Sequence, residues 1–108
     1  MAKIGYLFLN NGKWGEKTII SVAWVKRSTD KHRENDRYGY LWWCDSGYVG
    51  REKIDFYHGS GYGGQKIYVF PTIDMVVVIT SGNYGRNQTI AHFQTDVMVK
   101  YHILKALE

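Results

Sequence analysis

The apolar positions along the chain change period several times, and each change marks an element. Between Ala2 and Leu9, apolar residues at 4, 7 and 8 precede Asn10-Asn11-Gly12, which predicts a short helix closed by an Asn/Gly cap. Ser21 to Arg27 predicts a second short helix, with Ser21 as its N-cap and Val22, Trp24 and Val25 facing inward. Residues 28–37 are polar and read as loop. The period then shortens. Tyr38 to Trp43 has strand composition, and Asp45-Ser46-Gly47 reads as the turn after it. Further strands are expected near 54–60 and 65–70, the latter with Ile67 and Val69 on one face. The run MVVVIT at 75–80 suits a strand buried on both faces. Beyond it, Ile90, Phe93, Val97, Tyr101 and Leu104 recur at three and four, so 89–107 reads as an amphipathic helix roughly 28 Å long. The expected fold is α+β, with 1–108 as a single domain. A three- to four-stranded antiparallel sheet (38–43, 54–60, 65–70 and 75–80) carries the long C-terminal helix on one face, after two short N-terminal helices.

Composition narrows the class. Apolar residues make up 44% and charged residues 22% of the 108 positions, the balance of an ordinary globular domain and not of a disordered one. Nine Tyr, four Trp and twelve Gly against a single Pro favour strands and turns. The net charge is +4, but its densest basic run, KRSTDKHRENDR at 26–37, is interrupted by Asp30, Glu34, Asn35 and Asp36. It fits a solvated loop better than a nucleic-acid surface, and no nucleic-acid partner is expected. Cys44 is alone, which rules out an intrachain disulfide and a zinc site built on several cysteines. His32, His58, His92 and His102 share no ligand-like spacing. No metal or other cofactor is expected. No stretch approaches the ~18 apolar residues of a membrane span. The opening MAKIGYLFLNNG lacks a signal peptide's long apolar run and reads like the middle of a protein, so the compartment is not legible.

Gly59-Ser60-Gly61-Tyr62-Gly63-Gly64 matches G-x-G-x-x-G letter for letter. A dinucleotide fingerprint needs a helix after the glycines, to set the pyrophosphate on its N-terminus. Here QKIYVFP follows, which is strand-like, so the dinucleotide reading fails. A kinase glycine loop does lie between strands, but the rest of the kinase set is absent. The plainer reading is a glycine-rich hairpin. Four glycines in six residues are more than a turn requires, which points to close approach by a ligand or a neighbouring segment. Ser28-Thr29-Asp30-Lys31 matches S-x-x-K, but without an apolar stripe behind it the Lys would be hydrated and useless as a base, so a surface loop is expected. On an alternating strand, Trp42-Trp43 would place one indole in the core and leave the other half-exposed.

Taken in order, several pieces resemble the C-terminal part of the serine β-lactamase-like hydrolases, which include class C β-lactamases, penicillin-binding DD-peptidases and related esterases and amide hydrolases. MAKIGYLFLNNGKWGEKTIISVAWVKRST is similar to that family's helix, its L-x-L-N-x-G-x-W turn and the start of its next helix. YGYLWW resembles its YG-x-G-W strand. GSGYGGQKIYVFPTIDMVVVITSGNY resembles its G-x-G-G-Q-x-I-x-V-x-P-x-x-D-x-V-V-V hairpin. The resemblance covers residues 2 to about 84. It implies that the strand entering the glycine loop lines a substrate site, with His58, Gly59, Ser60, Gly61 and Tyr62 as the substrate-binding strand and loop. Ser60-Gly61 would take the Ser/Thr-Gly positions of a Lys/His-Thr/Ser-Gly triplet, and Gly59 stands where that triplet has a cation. This departure suits an esterase, an amide hydrolase or an unassigned subgroup better than a β-lactamase or DD-peptidase. The family's Ser-x-x-Lys nucleophile and its Tyr/Asn motif lie upstream of the matched region, and Ser28–Lys31 is on the wrong segment to replace them. The resemblance therefore implies a C-terminal portion of a serine hydrolase with no catalytic nucleophile or base of its own, inactive alone. Its partner in the full-length protein would be a small-molecule or peptide-like substrate. The alternative is a binding or complementing module that uses the Ser60–Gly64 loop. The family's N-terminal strands would pair beside 75–80, so an isolated chain is expected to form a homodimer through that edge or to rearrange to cover it.

Overall fold

The structure is a computed structural model that describes residues 1–32 and 37–108. The centre of the basic run, 33–36, lies outside the described residues.

Helix α1 spans Ala2–Leu9 and ends where Asn11 (φ 54°) and Gly12 (φ 84°) turn left-handed, as the Asn/Gly cap predicts. A two-residue hairpin follows, β1 (Lys13–Trp14) with β2 (Lys17–Thr18), too short to show as a period in the sequence. Helix α2 spans Val22–Ser28. Ser21 caps it, its Oγ accepting from the Trp24 N–H at 3.1 Å. Only Val25 of its three expected inward residues is buried, while Val22 and Trp24 are about half exposed.

Four antiparallel strands make the main sheet: β3 (Trp43–Val49), β4 (Glu52–Gly61), β5 (Gln65–Phe70) and β6 (Met75–Ile79), in that spatial order. Strand β5 and the core of β6 fall where the sequence places them. Strand β3 does not. Residues 38–42 form a tight turn joined by the Tyr38–Trp43 bridge, and Asp45-Ser46-Gly47, expected as a turn, lies mid-strand opposite Ile54, Asp55 and Phe56. Tertiary packing overrides the local turn preference there. A Cβ on Gly47 would stand 2.7 Å from Leu104 Cδ1, and the Asp45 carboxylate holds Lys100 Nζ at 2.7 Å. The chain reverses instead at Gly50–Arg51. Strand β6 is half-buried along its length, not buried on both faces, because it forms one edge of the sheet.

The sheet has a layer on each face. Helix α1 lies over β5 and β6, with Gly5 buried against Val76 and Ile67. Helix α3 (Gln88–Met98), capped by the Asn87 side chain, covers the other face. It continues through a π-helical turn at Val99–Ile103 and a last 3-10 turn at Lys105–Leu107. Between this helical arm and the sheet sits the core of Ile54, Phe56, Tyr68, Phe70, Val99 and Leu104. Each large apolar side chain buried there contributes about 1.5–3 kcal/mol.

The orientation of α3 reverses one expectation. Ala91, Thr95 and Val99 face the sheet, while Ile90, Phe93 and Tyr101 are 56%, 66% and 67% exposed. Of the expected stripe only Leu104 is buried, past the π-turn that shifts the helical register. The physical reason is the sheet surface beneath. Phe56, Tyr68 and Phe70 already fill the layer, so the helix packs close through small residues.

Candidate functional site

The glycine loop is built by its neighbours. Gly63 (φ 82°) and Gly64 (φ 88°) turn the β4–β5 hairpin, and a Cβ on Gly63 would stand 2.8 Å from the Tyr84 ring. The segment 81–88 closes on them. The Gly63 N–H donates to Gln88 Oε1 at 2.7 Å, and the Asn83 N–H donates to the Gly63 carbonyl at 3.2 Å. The Gly85 N–H donates to the Tyr62 hydroxyl at 2.8 Å. The Gln65 amide bonds Ser81 on both sides, its NH2 donating to the carbonyl and its oxygen accepting from the N–H. Gly63 and Gly64 therefore admit a protein segment, whereas Gly59 and Gly61 meet only Trp42 and Gln65 and have no part of 81–88 against them.

Strand β4 is longer than its neighbour. Strand β3 pairs with residues 52–58 of β4, and β5 pairs with residues 57–61. Gly59, Ser60 and Gly61 are thus paired on one side only, and no described residue bonds their other edge. Had β3 extended three residues upstream, residues 40–42 would lie along this edge. The chain turns away because Leu41 is left-handed (φ 68°), with the Gly39 N–H donating to the Trp42 carbonyl at 2.7 Å and the Tyr40 N–H to the Ser28 carbonyl at 2.9 Å. Leu41 is 80% exposed. A left-handed, exposed leucine is strained, and such strain collects at functional positions.

Side chains on the α3 face of this edge form a polar cluster around a cavity of about 360 Å³, lined by Arg37, Trp43, Cys44, Asp45, His58, Ser60, Lys66, His92 and Asp96. His58 Nδ1 and Ser60 Oγ share a hydrogen bond of 3.1 Å. Lys66, directly opposite Ser60 in the ladder, is buried and donates to Asp96 Oδ1 at 3.2 Å. The Tyr68 hydroxyl donates to the same oxygen at 2.6 Å. Trp43 is half-exposed beside Tyr38, and Trp42 is buried between Phe8 and Tyr57, the division expected of the Trp pair.

Electrostatics here make His58 a weak base. Burial, reinforced by the Lys66 charge, pushes His58 down to about 4, so its imidazole is neutral at pH 7. A base so weak is poorly matched to taking a serine proton at neutral pH. Among the described residues no carboxylate bonds its other ring nitrogen. Burial also lowers Lys66, opposed by Asp96, and raises the Tyr68 phenol. Burial raises the Asp45 carboxyl, but the hydrogen bonds from Lys100 and the Ser46 N–H, with the charges of Lys100 and Arg37, outweigh it and hold it below its usual value. Burial raises the Cys44 thiol, whose Sγ contacts the Thr29 carbonyl at 3.1 Å, so it is no thiolate nucleophile.

Of the five residues expected from sequence, His58 and Ser60 face the cavity, Gly59 and Gly61 complete the open edge, and Tyr62 turns away to the 81–88 segment. Leu41, Lys66 and Asp96 were not found by sequence. Only the pairing register and the approach of α3 bring them in. Ser28 is not on a surface loop. It is the buried last residue of α2, its Oγ donating to the Val25 carbonyl at 3.0 Å, and so has no helix after it to present Lys31. Among the described residues no His, Cys, Asp or Glu cluster could hold a metal ion, and no helix is long and apolar enough to cross a membrane. In comparisons with known proteins, no family model and no curated protein matches the chain.

Proposed function

We propose that this chain is the substrate-binding portion of a β-lactamase-like serine hydrolase, an amide- or ester-hydrolysing enzyme, and that it binds without hydrolysing on its own. One observation carries the reading: the backbone edge of Gly59, Ser60 and Gly61, unpaired among the described residues, beside Trp43 and turned away from by the chain at Leu41. Such an edge takes an extended backbone as an added strand. In an antiparallel register continuing β3, the ligand group opposite Ser60 points to the cavity face with Trp43 and His58, and the group opposite Gly59 points to the Trp42 face. The ordered motif resemblance supports the same strand as the substrate side. The ligand is a small amide or a peptide-like molecule. The Ser60–His58 contact is a positioning pair on this reading, since His58 is too weak a base at neutral pH.

A free-standing binding or complementing module is the second reading. It is favoured by the 81–88 segment, which fixes the hairpin without any upstream residue. An in-frame Ser-x-x-Lys followed by Tyr-x-Asn upstream in the gene would decide for the first reading, and a start site with no such partner for the second.

Nitrocefin and p-nitrophenyl ester assays test the absence of catalysis in this chain. The purified protein is expected to match its Ser60→Ala variant at the buffer rate. Turnover that survives purification and is lost on Ser60→Ala would overturn the proposal.

A further inference from the structure

Among the described residues strand β6 leaves the far edge of the sheet open, on the opposite side from Gly59–Gly61. Its five residues, Met75-Val76-Val77-Val78-Ile79, carry no charge, no Pro and no bulge-forming Gly, the devices that normally protect an edge. Alternate residues of β6 bond β5, so the rest direct their N–H and C=O groups outward, and only another extended backbone can satisfy them in register. The flanking surfaces are apolar on both faces. On the α3 face Met75, Val77 and Ile79 border the core. On the α1 face Val76 and Val78 line a cavity of about 400 Å³ with Ala2, Tyr6, Leu9 and Asp74.

We propose that the occupant of this edge is β6 of a second copy, paired antiparallel about a twofold axis at Val77 and perpendicular to the sheet. The edge is self-complementary in that arrangement. Val77 meets its own mate, Val76 meets Val78, and Met75 meets Ile79, so every facing pair is apolar and no like charges oppose one another. The axis places both α1 helices on one face of an eight-stranded sheet and joins the two α1-side cavities into one apolar seam. The dimer uses the edge remote from the ligand edge and belongs to this chain as it stands, since upstream strands of a longer hydrolase would pair at the same edge.

Light scattering at rising concentration is expected to show twice the chain mass. In a Cys44→Ser background, Val77→Cys should cross-link under mild oxidation. Cα atoms facing across an antiparallel pair are ~4.5–5.5 Å apart, within disulfide reach. Met75→Cys should not, because its mate lies about four residues, roughly 13 Å, along the strand. Val77→Lys should give a monomer. Because Val77 packs against the core and a lysine there also strains the fold, amide exchange on the unaltered chain gives an independent reading: outward β6 amides should become protected as concentration rises. A monomer at millimolar concentration, unprotected β6 amides throughout, or cross-linking of Met75→Cys as fast as Val77→Cys would overturn the pairing.

Discussion

Lys66 and Asp96 join β5 to α3 through a 3.2 Å ion pair whose lysine side chain is only 3% exposed. The same carboxylate oxygen accepts from the Tyr68 hydroxyl, so one atom of α3 satisfies two buried groups of the sheet. Removing that acceptor strands both. Asp96→Ala is expected to cost about 3 kcal/mol in urea unfolding, because the buried ammonium loses its counter-charge. Lys66→Met in the same chain should restore a good part of the loss. If the double variant is less stable than Asp96→Ala, the pair is not what makes the single change costly.

The glycine loop gives a second test. Gln88→Ala removes the acceptor of the Gly63 N–H and the donors to the Asn83 and Arg86 carbonyls, and should cost about 1–3 kcal/mol. Gly63→Ala should be at least as harmful, since it adds a Cβ against Tyr84 at a left-handed backbone position. An unchanged unfolding midpoint in both variants would contradict the assignment of segment 81–88 as the clamp of the hairpin.

Acid stability should report His58. Its folded value, about 4, lies below its ordinary 6.5, so between these pH values the unfolded chain binds the extra proton. The stability from keeping His58 neutral is therefore fully present above pH 6.5 and is lost as pH falls toward 4, by on the order of 3 kcal/mol. His58→Gln should flatten this limb of the urea-stability profile. An NMR titration placing the His58 ring near its ordinary value would refute the burial argument.

Leu41 holds a left-handed backbone at a cost of about 1–2 kcal/mol. Leu41→Gly should relieve part of that strain and raise stability by about 0.5 kcal/mol after the added chain entropy of Gly. A destabilised Leu41→Gly variant would show that the leucine side chain, and not the turn, is what holds residues 38–42.

Regular elements were legible where one local rule acted alone. Strand β5 matched residue for residue, and Ser21 and the Asn/Gly pair marked helix ends; the Trp pair divides as expected, but Trp42 lies in the turn before β3 and not on an alternating strand. Misreadings came where a distant partner decided. Asp45-Ser46-Gly47 has turn chemistry, yet Lys100 and Leu104 make it strand. The apolar stripe of α3 pointed to the wrong face, because periodicity reveals an amphipathic helix without revealing that the sheet beneath accepts only Ala91, Thr95 and Val99. For the candidate site, His58 to Tyr62 came from the family resemblance. Lys66 and Asp96 were hidden, since burial of a lysine is invisible to hydropathy. Leu41 was hidden too, because nothing in YGYLWW signals a left-handed leucine.

The open edge at Gly59–Gly61 is the centre of the account, and amide chemical shifts test it most directly. The ¹⁵N-labelled protein would be titrated with N-acetyl-Ala-Ala, a small extended backbone. Shifts concentrated at Gly59, Ser60 and Gly61, with Trp43 and His58 following, are the predicted result. No change at these amides at millimolar ligand, or changes confined to other strands, would contradict it.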